Sequence, residues 1–195
     1  TSTGNNGRLG NQIIRNLAVS IIAEKHNLKV EYYNKEIINR LGMELYSGTK
    51  SHNCMKSLTD ENYFEIYNSE ELNSDLNPND NYFQTKEITN MLYEHLHKEV
   101  NKLKIINNNP FKERYGKNND LFVHIRLTDV AHLNPGIRYY KKAIENVNYE
   151  NLYISTDDNY NDMILELLKE YPCAKRIDGE EKEIIQYVQL NFSQP

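Results

Sequence analysis

Tryptophan is absent from this chain of 195 residues, and cysteine occurs only twice, as Cys54 and Cys173. Two distant cysteines form neither a disulfide framework nor a metal-ligand spacing, so the sequence predicts two free thiols. No stretch of about 18 apolar residues occurs, which excludes a membrane-spanning helix. Basic excess is missing too: 23 Lys and Arg stand against 28 Asp and Glu, a formal net charge of −5. That balance argues against a nucleic-acid partner, which calls for a basic face. No signal peptide or anchor is visible, so the chain reads as a soluble domain without a stated compartment.

Glycine is also sparse, yet three of the eight glycines crowd the start, at Gly4, Gly7 and Gly10. They precede Ile13, Ile14, Leu17, Ala18, Ile21 and Ile22, whose spacing predicts a helix from Gly10 to His26 with one apolar face. Glycines let a backbone approach a ligand closely, and a helix start offers free N–H groups to an anion. Arg8 and Asn11 add side-chain donors at the same place. A helix-start turn with no ligand is the plainer reading.

Leu28 to Tyr33 reads as a strand. Residues 35–81 are polar, tyrosine-rich and unassigned. Ile88, Met91, Leu92, Leu96 and Val100 predict one long helix, broken by Asn107-Asn108-Asn109-Pro110, and the polar run Lys112 to Asp120 reads as a connector.

Beyond it the pattern alternates. Strands are expected at Leu121–Ile125, Leu152–Ser155 and Ala174–Ile177. Helices are expected around Tyr139–Val147, around Met163–Leu168 ending before Pro172, and around Ile184–Val188. Alternating strands and helices imply a parallel α/β sheet. The glycine loop should follow a strand and the last helix should feed one, so the chain reads as cut at one or both ends.

At the end of the first of these strands stands His124-Ile125-Arg126-Leu127-Thr128-Asp129. Alternation puts His124 and Arg126 on the same side of the strand end. Ligands of open α/β sheets collect beyond the carboxyl ends of the strands. A guanidinium there suits phosphate oxygens, and Asp129 would orient it or act as a base. The competing reading is a structural ion pair beside a core histidine. His132 reads as a loop residue. His95 and His97 are two apart on a predicted helix and receive no metal.

Four segments resemble, in order, the α-1,2-fucosyltransferases and the wider α-1,2/α-1,6/protein O-fucosyltransferase superfamily. They are Gly7-Arg8-Leu9-Gly10-Asn11-Gln12, His124-Ile125-Arg126, Tyr139-Tyr140-Lys141-Lys142-Ala143-Ile144 and Tyr153-Ile154-Ser155-Thr156-Asp157-Asp158. The resemblance implies a GT-B-like fold of two Rossmann-like halves facing a cleft. Residues 1–115 would form the acceptor side and residues 116–195 the donor side. It implies inverting transfer of fucose from GDP-fucose to a glycan hydroxyl, with no metal and no further cofactor. Arg126 would contact the β-phosphate, with His124 near the guanosine. Thr156, Asp157 and Asp158 would lie near the nucleoside. Asn11, with Arg8 and Gly10, would lie near the diphosphate and fucose. Asp129 is the candidate base.

Departures accompany the resemblance. Leu127 stands where many relatives have a second arginine, and Thr128 where α-1,2 enzymes have glycine. The family's final Ser/Thr-Phe-Ser motif is missing, since Asn191-Phe192-Ser193 comes too early. Asp157-Asp158 also reads as a solvated helix cap. Two alternatives stay open. One is a non-catalytic GDP-sugar or glycan binder. The other is an NAD-dependent nucleotide-sugar dehydrogenase or epimerase, because Gly4-x-x-Gly7-x-x-Gly10 with Glu31 resembles the dinucleotide loop of extended short-chain dehydrogenases. Their Tyr-x-x-x-Lys pair matches Tyr46/Lys50, Tyr82/Lys86 and Tyr171/Lys175.

Overall fold

The computed structural model describes residues 1–179, 182 and 184–186. The fold is mixed α/β, built as two compact units, Thr1–Asn109 and Pro110–Pro195. The sequence places the boundary at 115/116; the two units divide between Asn109 and Pro110, one residue past a helix that ends at Asn108.

In the first unit, α1 (Leu9–His26) is the central element. It is not the one-faced amphipathic helix expected. Residues on several sides are buried, including Leu17, Val19, Ile22 and the polar Gln12, Arg15 and Asn16. Asn27 ends it in the left-handed conformation, φ 55°, which asparagine tolerates. The strand expected at Leu28–Tyr33 is reduced to two isolated parallel bridges, Leu28 with Lys50 and Ser2 with Glu31. Left-handed Asn27 and Asn34 bracket the segment and keep it short. The Ser2 bridge supplies the strand-like entry to the glycine loop: Thr3 N–H donates to Glu31 O and Glu31 N–H to Thr1 O, both at 3.0 Å.

The unassigned stretch contains α2 (Lys35–Arg40), β1 (Met55–Ser57), α3 (Tyr63–Asn68) and β2 (Asp75–Asn77). β1 and β2 pair in parallel. Leu58, Tyr63, Ile66, Leu76 and Phe83 from this stretch and its exit are buried. The Tyr63 hydroxyl donates to Ala18 O of α1 at 2.8 Å, so its polar end is satisfied in the core. The single long helix expected next is two, α4 (Lys86–His97) and α5 (Glu99–Asn108). Lys98 breaks it with ψ 133°. Asn101 Nδ2 then donates to His95 O at 2.8 Å, satisfying a carbonyl at the break.

The second unit follows the expected alternation: β3 (Asp120–Ile125), α6 (Ile137–Glu145), β4 (Asn151–Thr156), α7 (Asp162–Glu170) and β5 (Lys175–Ile177). The strands form one parallel sheet in the order β3-β4-β5. Parallel neighbours need crossovers, and α6 and α7 supply them. Ile125, Leu152 and Ile154 bury one sheet face against Ile144 of α6 and Ile164 and Leu167 of α7. Full burial of each such side chain contributes about 1.5–3 kcal/mol. Period-two alternation sends Phe122, His124, Tyr153 and Ser155 to the opposite face. Of the expected last helix, residues 184–186 are helical; Val188 and the Asn191-Phe192-Ser193 segment lie outside the described residues. Among the described residues no helix is long and apolar enough to cross a membrane.

Candidate functional site

The carboxyl ends of β3 and β4 gather most of the predicted residues. Ile125 plugs the core, and Arg126 leaves the strand directly after it. Its Nη2 donates to both oxygens of Asp129, at 2.8 and 2.7 Å. One nitrogen serves both oxygens, so the guanidinium is gripped at a corner rather than along an edge. Arg126 Nε is buried with no hydrogen-bond partner. The arginine is thus held in place with donor capacity left over.

Leu127 packs against the β3/β4 core cluster, which accounts for an aliphatic side chain at this position. Its backbone N–H donates to Asp157 Oδ1 at 2.6 Å, and the Thr128 hydroxyl donates to Asp157 Oδ2 at 2.6 Å. Asp157 therefore ties the loop after β3 to the end of β4. Asp158 turns the other way. It accepts from Tyr160 N–H and from Asn161 Nδ2, both at 3.3 Å. Its own N–H donates to the Thr156 hydroxyl at 3.1 Å. Asn161 then caps α7 by accepting from Met163 N–H. The two adjacent aspartates are a loop tie and a turn former. His124 is exposed on β3, in register with Ser155, whose hydroxyl is buried without a partner.

The loop is closed by a residue the sequence reading missed. Asn134 Nδ2 donates to Arg126 O at 3.2 Å and to the Tyr140 hydroxyl at 3.1 Å. Its Oδ1 accepts from Gly136 N–H at 2.9 Å, and Gly136 adopts φ +83°. Burial raises the Tyr140 hydroxyl above its ordinary pKa. The Tyr139–Ile144 motif thus acts through structure: Tyr140 anchors the loop, Lys141 pairs with Glu166 and Glu170, and Ile144 enters the core. Both glutamates hold the Lys141 ammonium above its ordinary pKa.

The glycine loop belongs to the first unit. Arg8 stands at the N-cap of α1, no side chain caps the helix, and no acidic residue occupies its first turn. Gly7 has φ +81°, and a Cβ there would meet Asn11 Cβ at 2.7 Å and Tyr82 Cε1 at 2.8 Å. A Cβ on Gly10 would meet nothing within 4 Å, so packing does not require that glycine. Asn11 Oδ1 accepts from Gln84 Nε2 at 2.9 Å. Gly4 N–H donates to Asn79 Oδ1 at 2.5 Å, and Asn6 Nδ2 to Asn79 O at 3.1 Å.

Beneath the loop lies Arg15, fully buried. Its Nη1 donates to Gly4 O at 3.3 Å and Asn6 O at 3.1 Å, and its Nε to Asn81 O at 3.0 Å. Nη2 has no partner. Among the described residues no carboxylate forms an ion pair with Arg15. Burial lowers its pKa, opposed by Tyr82 and the nearby charge of Asp80. Desolvating a charge this far costs on the order of several kcal/mol. One sequence signal marks it: Arg15 is the only charged residue between Leu9 and Ala23.

Among the described residues no three His, Cys, Asp or Glu side chains converge on a metal position. Both cysteines are free thiols and exposed. Of the Tyr-x-x-x-Lys matches, Tyr46 and Tyr82 lie outside helices and Tyr171 is the C-cap of α7, so none has both members on one helical face. Glu31 is exposed and pairs through its backbone with Ser2. No protein-family model, curated protein or solved structure matches this chain.

Proposed function

We propose that the second unit binds the diphosphate of a sugar nucleotide and that the chain is a fucosyltransferase-like glycosyltransferase acting on GDP-fucose and a glycan hydroxyl. The two α/β units are read as the halves of a GT-B-like enzyme, the first on the acceptor side and the second on the donor side. One observation carries the reading. Arg126 sits just beyond the carboxyl end of a parallel strand, anchored by Asp129, with Nε lacking a partner. Anionic ligands of open α/β sheets collect at such ends, and a guanidinium matches phosphate oxygens.

The chemistry follows from charge. The acceptor hydroxyl gives its proton to a general base as its oxygen bonds to the anomeric carbon and the bond to the diphosphate oxygen breaks, through an oxocarbenium-like centre. Negative charge grows on the leaving diphosphate, and Arg126 stabilises it. Asp129 holds Arg126 by the same nitrogen. In an inverting displacement the base and the leaving group stand on opposite sides of the sugar. Asp129 therefore serves as the orienting carboxylate rather than the base. The tie from Asp157 to Leu127 and Thr128 keeps the loop in register, which preserves the position of Arg126.

The test is transfer of labelled fucose from GDP-fucose to glycan acceptors. Arg126→Ala should lower turnover by about two to three orders of magnitude, the cost of losing one preorganised donor. Arg126→Lys should rescue poorly, because an ammonium lacks the planar fork. A folded Arg126→Ala protein with near-normal transfer would overturn the mechanism.

A further inference from the structure

Arg15 has no place in the chemistry above. It is a guanidinium with no exposure, three carbonyl acceptors, an unpartnered Nη2 and, among the described residues, no carboxylate in an ion pair. Buried charges are ordinarily paired or absent. This one belongs to the second turn of an 18-residue helix that has no side-chain cap and no acidic first turn. The helix start carries partial positive charge of its own. Two like-signed features therefore meet at one loop with Asp80 as the nearby counter-charge.

Geometry gives the arginine a second task. By gripping Gly4 O and Asn6 O it turns two loop carbonyls inward, toward itself. Its Nε grip on Asn81 O joins the loop to the segment that also holds Gly4 and Asn6 through Asn79. Carbonyl oxygens facing outward would repel an anion; here two of them are engaged from below.

We propose that Arg15 is the positioning residue of the glycine loop, and that its buried charge makes the loop receptive to a phosphate-type anion. The inference rests on reading the loop as an anion-facing element, and it does not depend on Arg126. Arg15 does not touch the ligand; it acts through the loop and through its field.

Inorganic pyrophosphate is the probe, titrated by calorimetry into the wild-type and Arg126→Ala chains and into Arg15→Met and Arg15→Lys made in the Arg126→Ala background, so that the site proposed at Arg126 does not contribute, with folding checked by circular dichroism. Removing the buried charge that holds the loop carbonyls should weaken pyrophosphate about tenfold in Arg15→Met. Arg15→Lys, which keeps the charge and loses the fork, should weaken it less. Loop binding should persist in Arg126→Ala. A strut of purely structural kind would lower thermal stability in Arg15→Met and leave the affinity of the folded protein unchanged, which overturns the proposal. Loss of all binding in Arg126→Ala would also overturn it, while leaving the donor reading intact. If Arg15→Met does not fold, Arg15→Lys decides, read by the amide resonances of Gly7 and Gly10: pyrophosphate shifts that need a higher concentration than in the parent chain support the proposal, and an unchanged titration overturns it.

Discussion

Asp157 and Leu127 meet across the carboxyl ends of two parallel strands, the leucine N–H donating to the aspartate Oδ1 at 2.6 Å. Through this contact and the Thr128 hydroxyl, one carboxylate sets the loop that carries Arg126. Asp157→Ala should leave the Leu127 N–H without this acceptor and destabilise the second unit by about 1–3 kcal/mol. Asp157→Asn keeps one oxygen and should cost less. Thermal unfolding monitored by circular dichroism checks the order of the two variants; an Asp157→Ala protein as stable as wild type would remove the loop-tie assignment.

Two glycines of the same loop should behave oppositely. Gly7→Ala forces a Cβ into φ +81° and against Asn11 and Tyr82, so it should destabilise by about 1–3 kcal/mol. Gly10→Ala meets nothing within 4 Å inside α1 and should be neutral or more stable by up to about 1 kcal/mol. If an anion approaches the start of α1, Gly10→Ala should nonetheless weaken pyrophosphate. Stability and affinity measured on the same two variants separate packing from approach.

His26 sets a pH dependence. Its pKa is lowered first by burial and then by Lys25 and Lys50, against the carbonyls of Ile66 and Tyr67, which raise it. With the folded pKa below the unfolded value of about 6.5, the unfolded chain binds more protons as the pH falls. Stability is therefore full above about pH 6.5, declines as the pH drops below it, and levels off beneath the folded pKa. His95 shifts in the same direction, chiefly by burial. A His26→Gln protein should show a shallower loss of stability between about pH 7 and 5 in denaturant titrations. An unchanged slope would contradict the assignment.

The legible parts of the sequence were those with long regular periods. The β3-α6-β4-α7-β5 alternation was readable because each element carries its own apolar pattern and Pro172 marks one end. The break at Lys98 was not, because the spacing of Leu92, Leu96 and Val100 runs straight across it; the interruption lies in one ψ angle and an asparagine bond to His95 O. Residues 35–81 resisted assignment because their helices and strands span three to six residues, too few for a period to repeat.

At the site, Arg126 and Asp129 were readable as a pair, since a strand ends just before them. Their neighbours Asn134 and Tyr140 were not linked in the sequence reading, because a loop brings them together. Asp157 and Asp158 looked alike in sequence, yet their carboxylates face different partners once β4 ends. Arg15 carried a signal, a lone charge in an apolar helix, that periodicity alone does not interpret.

Calorimetric titration of GDP, UDP and NAD into the wild-type chain and into folded Arg126→Ala tests the donor site most directly. The account predicts that GDP binds wild type more tightly than UDP or NAD. Losing a charge-assisted contact should weaken GDP about tenfold or more in Arg126→Ala. Equal affinity for the three nucleotides, or GDP binding unaltered by Arg126→Ala, would contradict it.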